Sequence, residues 1–110
     1  MSKQVRDSAG HLWPEVIGRF GTTTMLTTSD ASQQSHAAAT GVTLMRVSNG
    51  SDDGRHLHFK VGANPTATVD DPIIPAYQTE YVAVNPGDKV AIISGHSHTF
   101  HVTITDILPS

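Results

Sequence analysis

The sequence predicts an all-β protein: a single-domain β-sandwich or jelly-roll-like barrel that follows an extended N-terminal arm. Short runs rich in β-branched residues recur between residues 42 and 107, and several alternate apolar and polar side chains with a period of two. Turns rich in Gly, Pro, Asn and Asp separate these runs, and no run predicts a helix convincingly. Short strands at this spacing are typical of sandwiches and barrels.

The first 41 residues have a weaker pattern. We expect residues 1–21 to form an arm that docks on a neighbouring subunit. A short helix is the alternative, with four apolar side chains along one side (Leu12, Val16, Ile17 and Phe20). Residues 22–110 are expected to form the β-sandwich domain. Within it, residues 22–41 are rich in Thr, Ser, Ala and Gln and predict weakly specified strands joined by residues 29–32, with a flexible linker as the alternative.

Five strands are expected in the rest of the domain, at 42–48, 56–61, 79–84, 89–94 and 100–107. Residues 71–75 include two prolines, which cannot donate to a central ladder, and they predict a loop or a short edge strand. Residues 85–88 predict a tight turn, because Pro86 presets φ and Gly87 accepts a positive φ. The strand 89–94 is apolar on both faces, as expected between two layers.

The period-two alternation also predicts which side chains face the core. His56, His58 and Lys60 are expected on the outward face of their strand, and His101, Thr103 and Thr105 on the outward face of the last strand. The inward set is predicted to be Leu44, Leu57, Phe59, Val61, Val82, Val84, Val90, Ile92, Phe100, Val102 and Ile104.

Composition argues against several kinds of partner. The net charge is -3 and the seven basic residues are scattered, whereas a nucleic-acid partner calls for clustered Lys and Arg. No run approaches the roughly 20 apolar residues of a membrane span. Charged residues are only 15% of the chain, well below the usual quarter, which suits burial against protein neighbours. Since there is no cysteine, disulfides and thiolate metal sites are excluded.

Five of the seven histidines fall into two groups, and both could in principle bind a metal: His56 and His58, and His96, His98 and His101. Two histidines at i and i+2 on a strand point the same way and can bind one ion. Three imidazoles could meet if the strands of the first group and of His101 were neighbours. Against this, no Glu lies in a histidine-containing strand. We expect polar residues at turns or subunit contacts, with a metal site as the alternative.

Other catalytic chemistry has little support. The acidic pairs 52–53 and 70–71 lie beside turn-forming residues, which explains them better than a calcium site or acid–base catalysis. No Ser lies in a Gly-flanked elbow, and no glycine loop is suited to phosphate. We therefore expect a non-enzymatic protein without a cofactor. Single aromatics are more often contact anchors or core residues, and the candidate interface residues are Trp13, Phe20, Tyr77 and Tyr81.

The order of four segments carries a resemblance to a protein family. These segments are 58–68, 74–84, 86–93 and 101–106, which follow a β-branched strand and a hairpin. In this order they resemble a group of small bacteriophage virion proteins, over Val42 to Ile107. The resemblance implies a compact sandwich or jelly-roll domain with no cofactor and no catalytic residues. Members look like head decoration or cement proteins, or other accessory parts of the head and tail.

The expected function is therefore capsid decoration. Made in the host cytoplasm, the chain would form homo-oligomers on the virion and bind the major capsid protein or other virion proteins across capsid joints. The histidine-rich residues 95–101 depart from the family pattern, in which small residues are expected. Two alternatives stay open. One is a small β-barrel metal-binding module or metal-dependent enzyme, and the other is a tail, collar or receptor-binding accessory protein.

Overall fold

The structure, a computed structural model, describes residues 5–6, 12–13, 19–51, 54–94 and 99–108. These residues form ten β-strands: β1 Val5–Arg6, β2 Leu12–Trp13, β3 Phe20–Thr27, β4 Gln33–Gln34, β5 Leu44–Asn49, β6 Leu57–Gly62, β7 Ile73–Ile74, β8 Thr79–Ala83, β9 Lys89–Ile93 and β10 His101–Ile107. The all-β prediction is confirmed. No helix long and apolar enough to cross a membrane occurs in this described part.

Eight of the strands form two four-stranded antiparallel sheets. Sheet I has the order β3-β10-β5-β8 and sheet II the order β4-β9-β6-β7, while β1 and β2 pair only with each other. The pairs are nested: β3 with β10, β4 with β9, β5 with β8, and β6 with β7. The domain is thus one long hairpin rolled across two sheets. This connectivity agrees with the predicted jelly roll.

Apolar side chains from both sheets meet in one core. Sheet I contributes Met45, Val47, Val82, Val102 and Ile104, and sheet II contributes Leu57, Ile74, Val90 and Ile92. Phe59 and Val61 are partly buried against this cluster, as expected. The strand β9 lies between β4 and β6, and its central residues are buried on both faces, which confirms its predicted interior place.

The predicted orientation of β5 is wrong by one residue. Leu44 was expected to face the core, but Met45 and Val47 do so, and Leu44 is only half-buried. The reason is that Leu44 shares its face with Arg46, whose charge is costly to bury without a partner. Asn49 can occupy the inward face because its Nδ2 donates to two backbone carbonyls, at 3.1 and 3.0 Å, and its Oδ1 accepts the Ser51 N–H at 2.9 Å.

Several weaker predictions can also be decided. Residues 22–41 hold most of β3 and all of β4, so the linker alternative is wrong. Residues 73–74 form β7, a two-residue edge strand flanked by Pro72 and Pro75, which is one of the two outcomes that these prolines predicted. The turn at 85–88 is confirmed, since Gly87 has a φ of 90° and the Asp88 N–H donates to the Asn85 carbonyl at 2.9 Å.

The helix alternative for the N-terminal region fails where it can be judged, because Leu12 and Phe20 lie in strands. Val16 and Ile17 are outside the described residues, as are the acidic pair 52–53 and the turn residues 95–98.

Candidate functional site

The outer face of sheet I is the side of its four strands that is turned away from the core. Strand register and alternation with the core residues assign its members. They are Thr23, Met25 and Thr27 of β3; His101, Thr103 and Thr105 of β10; Leu44, Arg46 and Ser48 of β5; and Thr79, Tyr81 and Ala83 of β8. Phe20, at the start of β3, extends this outer face.

Charge is almost absent from the outer face. Among its members only Arg46 carries a formal charge when histidine is counted as neutral. Its guanidinium lies 5.5 Å from the centre of the Phe20 ring. This is a cation–π contact, which orients the guanidinium across the sheet. The outer face is therefore neutral to weakly positive in a chain whose net charge is -3.

The hydroxyl groups of the outer face bond to one another across the strands. Thr23 Oγ1 and Thr105 Oγ1 are 3.0 Å apart, and the Thr79 hydroxyl donates to Ser48 Oγ at 3.1 Å. Thr105 is on the outward side, as predicted, yet it is buried, because it lies in the middle of the sheet between its neighbours. Hydroxyls that already have partners lose less when another protein excludes water from the face.

Three large apolar side chains are exposed on this same face. The exposed fractions are 54% for Phe20, 63% for Met25 and 38% for Tyr81. Of the two places that single aromatics usually occupy, the surface and the core, Tyr81 thus lies at the surface. Trp13 is in β2, and its side chain lies outside the described part of the chain.

Tyr77, the remaining interface candidate, has a strained backbone. Its φ is 64°, in the left-handed region that bulky side chains rarely adopt. It occupies the third position of a turn closed by the Gln78 N–H, which donates to the Pro75 carbonyl at 3.2 Å. The side chain is 67% exposed. Strain of this kind persists where the surrounding structure imposes it, and it is concentrated at functional sites.

We expect Tyr77→Gly to raise the free energy of unfolding by about 1 kcal/mol, because glycine adopts a positive φ without steric cost. Tyr77→Ala keeps the unfavourable φ and should give no such gain. Urea denaturation of the two variants beside the unmodified chain measures the difference. Equal destabilisation by both variants would contradict the interpretation, since it would mean that the ring makes stabilising contacts.

The histidines of sheet II lie on a different surface. His58 was expected to be exposed, but it is buried, because the β6–β7 connection packs against it. Its Nδ1–H donates to the Asp71 carbonyl at 2.9 Å, and its ring meets that of His56 edge to face, with centroids 5.1 Å apart. Metal-binding histidines often donate one ring N–H to a backbone carbonyl in this way and bind the ion with the other nitrogen, which in His58 is Nε2.

His101 does not come together with His56 and His58 in the way that a three-imidazole site requires. β6 lies in sheet II and β10 in sheet I, so His101 is not on a strand adjacent to His56 and His58. No three His, Asp or Glu side chains come together as metal ligands within the described ranges. His96 and His98 lie outside those ranges, and metal binding by them stays a prediction.

A buried polar group that the sequence analysis did not single out joins the two sheets. His36, just after β4, donates from Nε2–H to Asp106 Oδ1 at 2.8 Å, and its Nδ1 lies 2.5 Å from the Thr24 hydroxyl. Thr24 Oγ1 also accepts the His36 backbone N–H at 3.1 Å. One feature of the sequence could have predicted this contact. Asp106 follows Val102 and Ile104 at the inward-facing positions of its strand, and a buried carboxylate needs a hydrogen-bond partner.

These residue types also occur in nucleophilic triads, but here they form a closed structural network. Asp106 is 1% exposed, and its second oxygen faces the Ala39 N–H at 3.4 Å. The Thr24 hydroxyl is held between two groups of His36. All three side chains are therefore occupied in joining β3 and β10 to the segment that follows β4.

A small depression lies at one end of the sandwich, with a volume of about 160 Å³. It is lined by Thr27, Gly50, Thr99, Phe100 and His101. Pockets for drug-sized ligands usually measure about 300–1,000 Å³, so this one suits a small group at most. Gly50 is required here, because a Cβ at this position would lie 2.5 Å from the His101 carbonyl oxygen.

No family model, curated protein or solved structure matches the chain. The outer face of sheet I is therefore interpreted from its own chemistry. It combines exposed apolar side chains, hydroxyls with partners and a single charged side chain, a combination suited to contact with another protein.

Proposed function

We propose that the chain is an accessory structural protein of a bacteriophage particle, a decoration or cement protein that binds other virion subunits through the outer face of sheet I. The observation that supports this most strongly is the nearly uncharged, four-stranded face that exposes Phe20, Met25 and Tyr81. Such a face binds protein rather than transforms a substrate.

The energetics of the outer face favour burial. Covering it would desolvate one formal charge, that of Arg46, and hydroxyls that already bond to one another. Aromatic residues, Met and Arg are enriched at the cores of protein interfaces, and the exposed side chains here are of these types. Arg46 can also bind a carboxylate of the partner in a bidentate manner.

The choice of a phage particle comes from two further observations. Residues 42–107 resemble small virion proteins, and the nested strand pairing is that of jelly rolls, which include viral capsid domains. A fold does not assign a function by itself, so the resemblance carries the particle assignment and the outer face carries the mode of binding. Many modest contacts across a capsid lattice add up through multivalency.

The experiment compares particles assembled with and without the chain. Particles that lack it are incubated with the purified chain, and bound copies are counted by gel densitometry. The temperature of DNA release is followed with a fluorescent dye. We expect saturable binding and a higher release temperature.

A second positive charge on the outer face should abolish this effect. Tyr81 lies directly opposite Arg46 on the neighbouring strand, so Tyr81→Lys sets two cations side by side on the face. We expect at least about tenfold weaker binding, an energy change of about 1.4 kcal/mol. Val69→Lys, at an exposed residue of the β6–β7 connection, is the matched control and should bind normally. Binding that both variants retain, or a chain absent from particles, would contradict the proposal.

A further inference from the structure

The four edge strands of the two sheets differ in how they are protected. β4 and β7 have two residues each. β8 contains Glu80 and has Pro75 and Pro86 a few residues beyond its ends. Short strands, charges and prolines are the usual means by which proteins prevent edges from pairing with other chains. β3 has none of them: it runs for eight residues, FGTTTMLT, without a charge or a proline.

The hydrogen-bonding groups of β3 alternate between its two sides. The Thr28 N–H donates to the Phe100 carbonyl at 2.9 Å, which sets the phase of the β3–β10 ladder. Hydrogen-bonded positions recur every second residue, so the N–H and C=O groups of Leu26 and Thr24 also point toward β10. Those of Met25 and Thr23 therefore point away from β10. The same phase places the Thr27 carbonyl on the far side, where Gln33 Nε2–H donates to it at 2.6 Å.

Gln33 therefore covers one end of this free edge and leaves the middle open. In the described residues β3 has β10 as its one strand neighbour, and the β1–β2 pair is a separate sheet. The N–H and C=O groups of Thr23 and Met25 are presented as half of an antiparallel ladder.

We propose that this edge pairs with the β3 edge of a second copy of the chain, antiparallel and about a twofold axis, so that two copies of sheet I form one continuous eight-stranded sheet. Only the odd-numbered residues of the middle of β3 point their N–H and C=O groups off the free edge, so an odd-numbered residue of one copy must face an odd-numbered residue of the other. Thr23 would then exchange hydrogen bonds with Met25 of the partner subunit, and the axis would pass beside Thr24. The inference concerns association between copies and holds whether or not the chain belongs to a virion.

The chemistry of the strand favours its own copy as the partner. A twofold contact brings residues close to the axis near their symmetry mates, so a charge in the middle of the strand would lie near a like charge. FGTTTMLT has none, whereas in β8 the two copies of Glu80 would approach each other. An axis perpendicular to the sheet also keeps both outer faces on one side, which doubles the width of the uncharged surface.

The test is the mass of the full chain in solution. We expect light scattering after size exclusion to give twice the 11.7 kDa of one chain. Met25→Pro removes an N–H that points off the free edge and leaves the ladder to β10 intact, so this variant should fold and run as a monomer. Ala83→Pro is the matched control. Its N–H also points off an edge, that of β8, and the variant should stay dimeric.

A second substitution guards against effects of proline on folding. Met25→Lys keeps every backbone group and introduces a charge that lies diagonally across the axis from its symmetry mate. We therefore expect at least tenfold weaker dimerisation at low salt and partial recovery at high salt. Far-ultraviolet circular dichroism should show that all variants are folded. A monomeric unmodified chain, a dimer that survives Met25→Pro, or a dimer that Ala83→Pro dissociates would each overturn the proposal.

Discussion

Asp106→Ala is expected to lower the free energy of unfolding by about 3 kcal/mol, because it removes the buried acceptor for a partly buried histidine and leaves two polar groups without their partner. Asp106 is almost fully buried and accepts the Nε2–H of His36 at 2.8 Å. His36 in turn holds Thr24, so the loss should loosen the junction between β3, β10 and the segment after β4.

Urea denaturation measures this loss, with Asp70→Ala as the control. Asp70 is an exposed acidic residue in a turn, and its substitution should change stability by less than about 0.5 kcal/mol. The double variant Asp106→Ala/His36→Ala should cost less than the sum of the single variants, because the two side chains act on each other. Additive losses, or a loss from Asp106→Ala no larger than that from Asp70→Ala, would contradict the network.

The second large effect is expected within β5, where adjacent residues should behave oppositely. Met45 is fully buried between the sheets, so Met45→Ala leaves a cavity and should lower the free energy of unfolding by about 3 kcal/mol. Leu44 lies on the outer face, and Leu44→Ala should cost less than about 1 kcal/mol. The two substitutions are neighbours in sequence and similar in size, so each serves as the control for the other.

Thermal or urea unfolding of both variants gives the answer. A larger loss for Leu44→Ala than for Met45→Ala would mean that β5 presents its other face to the core. Because a shift of one residue moves every side chain of a strand to the opposite face, that result would also remove Arg46 from the outer face.

The fold was predictable wherever local chemistry alone determines it. Along β10, the apolar positions Val102 and Ile104 alternate with polar ones, and the strand has this orientation. Pro86 and Gly87 fix a turn through their own φ preferences, whatever the rest of the chain does. The inward face of β5 was predicted wrongly because the strand begins with two apolar residues, Leu44 and Met45. Which of them faces the core depends on where the tertiary structure can accommodate Arg46 and Asn49.

Features that depend on distant parts of the chain were not predictable. The His36–Asp106 contact joins residues 70 apart, and the burial of His58 depends on a connection that packs over it. Likewise, the strand order of sheet I, which places Phe20 beside Arg46 and Met25 beside an open edge, follows from pairing between the two ends of the domain. Of the interface candidates, Phe20, Tyr77 and Tyr81 were named from residue type, but their shared exposure follows from the tertiary structure.

The proposed β3 contact and the proposed binding face reinforce each other physically. Pairing at β3 would place Met25 and Phe20 near the middle of the joined surface, whereas in one copy they lie at its margin. A wider face spans more of a lattice joint, and two linked copies gain avidity over one. We therefore expect Met25→Lys to weaken particle binding as well as dimerisation, and Tyr81→Lys to weaken particle binding alone.

The most direct measurement is a cryo-electron-microscopy reconstruction of particles saturated with the purified chain. We predict ordered density for the all-β domain on the particle, with Met25, Arg46 and Tyr81 against a neighbouring subunit and the β6–β7 connection toward solvent. Density that attaches through Val69 and Ile73 instead, or particles that carry no additional density, would contradict this prediction.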